Sequence, residues 1–257
     1  MRWFWPGSSG QRGRRRDDRA AVSSRRGPMM RRSFIDRRIE AMLDLCDRHG
    51  FKLAPFSQWG EAQFAARPDA ARRIRSAGLG WNVVEFEPGG YRDRGLTIFT
   101  ARMGDWRNLG AGAGRLYAEK AMMAEDGQRT PHHYHVVKTE DILNRGGARF
   151  VVELFKVDPN GVRLDERIQA AKDAEILDLA PGARVSLEPG ESLTLEPFVA
   201  HSFWAEGGAV LAGEVSLAND DAVDNYFQPP LARFAEIEED APMRFVTVRD
   251  HARFAPA

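Results

Sequence analysis

Residues 127–147 read GQRTPHHYHVVKTEDILNRGG. Three of the chain's six histidines, His132, His133 and His135, fall within four positions, and a glutamate, Glu140, follows five positions after the last. On a strand, successive side chains point to opposite faces, so His133 and His135 share one face and His132 takes the other. A short stretch before Glu140 allows the chain to turn back and bring a carboxylate beside the two imidazoles. His201 lies in a later strand-like run, ESLTLEPFVAHSFW, and supplies a fourth ligand. Three imidazoles and one carboxylate suit a first-row divalent ion.

The sequence around this stretch has a β texture. WNVVEF, GLTIFTARM, GRLYAEKAMMA, HYHVVK, ARFVVELFKV, ARVSLE, ESLTLE, HSFWAE and AVLAGEVSL are short β-like runs, most of them separated by Gly, Pro, Asn or Asp. Many short strands at such spacing indicate a sandwich or barrel. Before them, SFIDRRIEAMLDLCDRHG (33–50) places Ile35, Ile39, Met42, Leu43 and Cys46 on one helical stripe. Ser33 is the expected N-cap with Asp36 three residues on, and Gly50 the stop. Residues 57–66 and 69–76 read as two shorter helical pieces divided by Pro68. The segment after about Asp220 has little period and is expected to wrap the barrel.

At 257 residues, 43% of them hydrophobic, the chain can bury one substantial core. We divide it into an arginine-rich, disordered extension (1–32) and a single domain (33–257) with helices packed on a β-barrel. The extension holds ten arginines against Asp17 and Asp18, whereas the rest of the chain has 27 basic and 35 acidic side chains. Zero net charge therefore hides an acidic body, which argues against nucleic-acid binding. The tail lacks periodicity and an apolar signal region, and Met29 or Met30 is an alternative start. No run of eighteen apolar residues is present, so no membrane helix is expected. A single cysteine, Cys46, fits a reducing cytoplasm and a buried helix face.

The pattern Gly127-x5-His133-x-His135-x4-Glu140-x6-Gly147 matches the first cupin motif throughout. The second motif is partly met: Gly190 and His201 have the expected separation, with Pro197 one position late. More closely, the chain resembles the D-lyxose isomerase family of cupins. The resemblance rests on YAEKAMMAEDGQRTPHHYHVVKTEDILNRGG, ESLTLEPFVAHSFWAE, GEVSLANDDAVDNYF and RFAEIEED, and covers about Arg32 to Asp240. It implies a mainly β, cupin-type jelly-roll barrel with N-terminal α-helices. It also implies a divalent ion, manganese (Mn2+), held by His133, His135, Glu140 and His201. Lys120 and either Glu238 or Glu239 are its implied catalytic residues, and Lys138 and Glu214 line the substrate pocket. The implied reaction interconverts D-lyxose and D-xylulose, with D-mannose and D-fructose as a second pair, in a cytoplasmic homodimer.

The ligand set by itself also suits a cupin oxidoreductase, a dioxygenase or decarboxylase, and a non-catalytic sugar-binding cupin is a third reading. Oxygen uptake with iron marks the second, and metal binding without aldose turnover the third. Other conspicuous residues have plainer readings. Trp81 and Trp204 are core aromatics before they are sugar platforms, and His49 and His251 are structural. NDDAVDN (219–225) reads as Asx turns or pocket wall before a second metal loop. Gly146 and Gly147 read as a tight turn.

Overall fold

Two antiparallel sheets share a pair of long bent strands in this computed structural model, which describes residues 29–229, 231 and 236–254. In chain order the first elements are β1 (Met30–Arg31), α1 (Arg32–Arg48), α2 (Glu61–Ala65), α3 (Pro68–Ser76), β2 (Gly80–Glu85), α4 (Tyr91–Arg94), β3 (Gly95–Arg102) and β4 (Tyr117–Ala124). Next come β5 (His133–Tyr134), β6 (Glu140–Lys156), β7 (Ile168–Lys172), β8 (Glu175–Leu179), β9 (Arg184–Leu187) and β10 (Ser192–Leu195). The last are β11 (Val199–Leu217), β12 (Tyr226–Phe227), β13 (Ile237–Glu238) and α5 (His251–Phe254).

The larger sheet runs β2-β3-β4-β11-β6-β10-β7-β8. Its partner is built from the other halves of the long strands: β9 pairs with β6, and β5 lies between β11 and β12. This is the expected jelly-roll barrel. The strands pass from one sheet to the other at a bulge, where the β6/β11 register shifts between Glu206 and Val210. Gly146 and Gly147 sit there with φ of 153° and 102°. A Cβ on Gly147 would overlap the Ala209 carbonyl oxygen, and one on Gly146 would strike the His49 ring. The pair therefore bends a strand in mid-course instead of closing a tight turn.

Val84, Leu96, Met122, Ile142, Phe150, Val152, Leu187, Leu193, Phe203 and Val210 fill the barrel interior. The outer face of β2, β3 and β4 is also covered, because Ile35, Ile39, Met42, Leu45 and Cys46 of α1 pack on Trp81, Val83, Phe99, Ala121 and Met123. Burial on both faces explains why these strands read as nearly continuous apolar runs. Among the described residues no helix is long and apolar enough to cross a membrane.

The structure revises several boundaries. The HYHVVK run is strand only over β5, whereas EDILNRGGA, not read as strand, opens β6. HSFWAE and AVLAGEVSL are one strand, and β7 (IQAAK) and β8 (EILDL) are strands not read from the sequence. Pro68 opens α3 at a position where its missing N–H costs nothing. Ser33 does not cap α1. Its hydroxyl and amide both bond Asp240, while Asp36 accepts from the amides of Arg244 and Phe245.

The tail expectation over residues 1–28 lies outside the described residues, but its boundary moves. Met30 is buried, β1 pairs with β13, and the Arg32 guanidinium is fully buried between Asp250 and Glu239. These contacts fasten the closing segment to the start of α1, as expected of a wrapping segment.

Candidate active site

One end of the barrel interior is polar. The alternation that points Met122 and Ala212 into the apolar core also points Lys120 of β4 and Glu214 and Ser216 of β11 inward. On the neighbouring strand Glu140 lies opposite Ser216, and on the facing sheet His133 lies opposite His201. One ligand atom from each of His133, His135, Glu140 and His201 comes within 4.8 Å of all the others. The four expected metal ligands thus converge.

Hydrogen bonding sets which histidine nitrogens face the centre. Nδ1 of His133 donates to the Pro131 carbonyl (3.0 Å), Nδ1 of His201 to the Val199 carbonyl (3.0 Å), and Nδ1 of His135 to the Asp224 carbonyl. A carbonyl can only accept, so in each neutral ring Nε2 is left as a bare lone pair. Nε2 of His135 and His201 are buried and make no hydrogen bond. They stand 3.6 Å and 3.0 Å from the same carboxylate oxygen, Oε1 of Glu140. Lone pairs on nitrogen aimed at an anionic oxygen repel one another unless a cation lies between them. The residues therefore fit a divalent metal ion, with main-chain acceptors orienting each imidazole from behind.

Electrostatics agree with that arrangement. Burial pushes His133 well below the usual imidazole range, so its ring stays neutral. For Glu140, burial opposes ionisation, but the neighbouring Lys138 ammonium outweighs it and holds the carboxyl well below its usual range. Lys138 bonds Oε2 of Glu140, leaving Oε1 for the centre.

Beside the ligands lies a second charged group. Glu214 accepts from Lys120 at 3.0 and 3.3 Å, from Lys138 at 3.1 Å and from the Ser216 hydroxyl at 3.0 Å. Burial favours its neutral form, yet Lys120 and Lys138 together keep its pKa lowered and the carboxylate ionised. Burial works against charge on Lys138 too, but Glu140 and Glu214 overcome it and raise its pKa. A cavity of about 1770 Å³ lies against them, and its wall includes His133, Glu140, Lys120, Lys138 and Glu214. Trp106 and residues 219–222 line it as well.

Two expected catalytic residues are not in this cavity. Because β13 pairs in parallel with β1, Glu238 bonds Arg31, and Glu239 bonds Arg32 and Arg253. Their carboxylates are committed to the clasp at the start of α1. The acidic run EIEED thus ties the closing segment to α1, and of the glutamates lining the cavity Glu214 is the one outside the His3Glu group.

The remaining readings resolve simply. His132 points outward to Glu153 (3.1 Å), and its pKa is lowered to about 4, chiefly by burial. Trp81 is core and donates to the Ser57 carbonyl at 2.6 Å, and Trp204 lies under the guanidinium groups of Arg129 and Arg184. His251 is buried against Phe64. The residues that sequence reasoning missed are Trp106, which lines the cavity and is 44% exposed, and Asp224. NDDAVDN was conspicuous, but nothing in sequence ties Asp224 to a partner 86 to 89 residues away.

Comparison with known proteins agrees with the geometry. A family model described as D-lyxose isomerase matches residues 30–251. A D-lyxose/D-mannose isomerase of Escherichia coli O157:H7 is 39% identical over 228 residues, covering 88% of this chain and all of the relative. Its counterpart from Serratia proteamaculans is 36% identical over 230 residues, covering 88% and 99%. Among solved structures, an L-ribose isomerase of Acinetobacter sp. DL28 in complex with L-ribose superposes with a TM-score of 0.56 at 13% identity, covering 83% of this chain and 100% of that one. Ligand-free Cellulomonas parahominis L-ribose isomerase gives 0.51 at 16% identity, covering 82% and 99%. At these identities the structural likeness establishes the fold.

Proposed function

The chain belongs to the D-lyxose isomerase family, and on that premise we propose that it interconverts D-lyxose and D-xylulose, and D-mannose and D-fructose, by proton transfer between C1 and C2. The observation that carries the mechanism is an ionised, buried Glu214 held between two lysines beside a convergent His3Glu group.

His133, His135, Glu140 and His201 would hold the divalent ion, which we read as manganese. When bound, such an ion supplies Lewis-acid polarisation of the sugar carbonyl and a template for the neighbouring hydroxyl. Glu214 takes the proton from C2, and the C–H electron pair becomes the C1=C2 bond of an enediol. The proton of the C2 hydroxyl passes to O1, and the same carboxyl returns the carried proton to C1, leaving a hydroxyl at C1 and the carbonyl at C2. Lys120 and Lys138 donate toward oxygen as negative charge develops there. Their second effect is to keep Glu214 ionised, and hence able to accept a proton. In this reading Lys120 keeps its expected catalytic role, Lys138 lines the pocket, and Glu214 replaces Glu238 or Glu239 as the base.

The same reading includes a homodimer in the cytoplasm. Tyr117, Val215 and Leu217 leave an exposed apolar strip on the outer face of the β4/β11 ladder, which supports pairing with a second copy. The lone Cys46 is buried, and that burial pushes its thiol up to about 11.

The direct test strips the protein with chelator, restores manganese and follows D-lyxose conversion to D-xylulose, with His133→Ala in parallel. Manganese-dependent turnover that vanishes in the variant supports the proposal. Metal binding with no conversion of D-lyxose or D-mannose overturns it.

A further inference from the structure

Asp224 lies outside the four ligands and outside the proton-transfer groups, yet it holds both halves of the metal motif. Its Oδ1 accepts from the amides of Val136 (2.6 Å) and Val137 (3.2 Å), and its Oδ2 from those of Val137 (3.3 Å) and Lys138 (2.9 Å). Three successive backbone N–H groups thus form a nest around one carboxylate. Its main-chain oxygen accepts from Nδ1 of His135. Asp224 is itself 7% exposed and sits at the end of a turn in which its amide and that of Val223 both bond the Asp220 carbonyl. The next residues, Tyr226 and Phe227, pair with Tyr134 and His133.

The turn at 136–139 reverses the chain between His135 and Glu140, and also delivers Lys138. Without an acceptor there, three adjacent amides would be left to solvent or unpaired, and the turn would lose its defined shape. We propose that Asp224 is a positioning residue of the metal centre: one side chain fixes the turn between the HxH pair and Glu140, while the same residue's carbonyl selects the His135 tautomer. Because residues 219–222 line the cavity, Asp224 also joins that part of its wall to the metal motif. This inference rests on the metal-site reading above.

The test measures manganese affinity of the full chain without sugar, and the visible spectrum of the cobalt(II)-substituted protein, for wild type, Asp224→Ala and Asp224→Asn. Loss of support from behind a ligand weakens metal binding about 10- to 100-fold. Asp224→Ala is therefore expected to lose manganese affinity in that range and to shift the cobalt bands. Asp224→Asn, of equal size but with one acceptor oxygen, is expected to fall between it and wild type. Affinity within about twofold of wild type and an unchanged cobalt spectrum in either folded variant overturn the inference. If Asp224→Ala does not fold, Asp224→Asn alone decides by the same criterion. Wild type that binds no manganese removes the metal reading itself, an outcome distinct from a wild type that binds and a variant that binds equally.

Discussion

Glu214 lies directly across the β4/β11 ladder from Lys120, with Nζ 3.0 Å from Oε1 and both side chains less than a tenth exposed. Each charge is buried because the other is present, and Lys138 joins them from the turn before Glu140. Chemistry and folding therefore depend on the same ion cluster. Replacing Glu214 by Gln keeps the volume but removes the proton acceptor. Turnover should fall about 100- to 10,000-fold, while manganese affinity changes by only a few-fold because no ligand is lost. Sugar incubated in D2O should show deuterium at the transferred position with wild type. Retained turnover in the Gln variant would exclude Glu214 as the base.

The converging lone pairs of His135 and His201 on Glu140 would make a bound ion a stabiliser of the fold. At a thousand times its dissociation constant a ligand adds roughly 4 kcal/mol to folding stability. The thermal midpoint of the stripped protein should rise on adding manganese, and His201→Ala should abolish most of that rise. An equal shift in both proteins would place the ion elsewhere.

Glu239 and Glu238 bind arginines outside the cavity, so their loss should register in stability and not in chemistry. Removing the fully buried Arg32, which leaves Asp250 and Glu239 without their partner, should cost about 3–5 kcal/mol in denaturant melts. Glu238→Gln should leave kcat within about twofold and, as a pair half exposed to solvent, cost little stability. A Glu239→Gln variant that stays fully stable yet loses a hundredfold in kcat would restore the acidic run to catalysis.

Stability should also fall on mild acidification, for a reason separate from the active site. His132, reference value 6.5, is lowered to about 4, and His251 is also lowered, in both cases chiefly by burial. A depressed folded pKa means the folded state binds fewer protons than the unfolded one. The contribution is complete above about pH 6.5 and declines between there and about pH 4 for His132. Asp250, lowered by its bonds to Arg32 and Thr247 despite opposing burial, adds a further loss at lower pH. Denaturant melts at pH 7, 5.5 and 4.5 should show this slope, and His132→Gln should flatten it. An unchanged slope in the variant would assign the acid sensitivity to other groups.

The metal ligands were legible because their signal is local. A two-residue period puts His133 and His135 on one face, and a turn of four residues returns Glu140 to them. The amphipathic helix 33–50 was equally clear, since burial of Ile35, Ile39, Met42 and Cys46 follows the helical repeat. Capping was not: Ser33 and Asp36 are close enough to serve one another, but Asp240, Arg244 and Phe245 compete for them from more than 200 residues away. The glycine pair was visible as a break, yet a turn and a strand bend use glycine in the same way. The clash with Ala209 separates the two.

By itself the sequence determined the β-barrel class, the convergence of His133, His135 and Glu140 and the outward direction of His132, because strand parity and turn length operate over a few residues. His201 was visible as a candidate, but the pairing of β11 with β5 brings it to them. Tertiary structure alone decided which of three glutamates lines the cavity. Glu214, Glu238 and Glu239 are chemically alike, and the parallel pairing of β13 with β1 draws two of them onto arginines while the β4/β11 register buries the third between lysines. Cross-strand register also makes Asp224 the support of a turn almost ninety residues earlier in the chain. Such roles arise from long-range pairing, which no local period encodes.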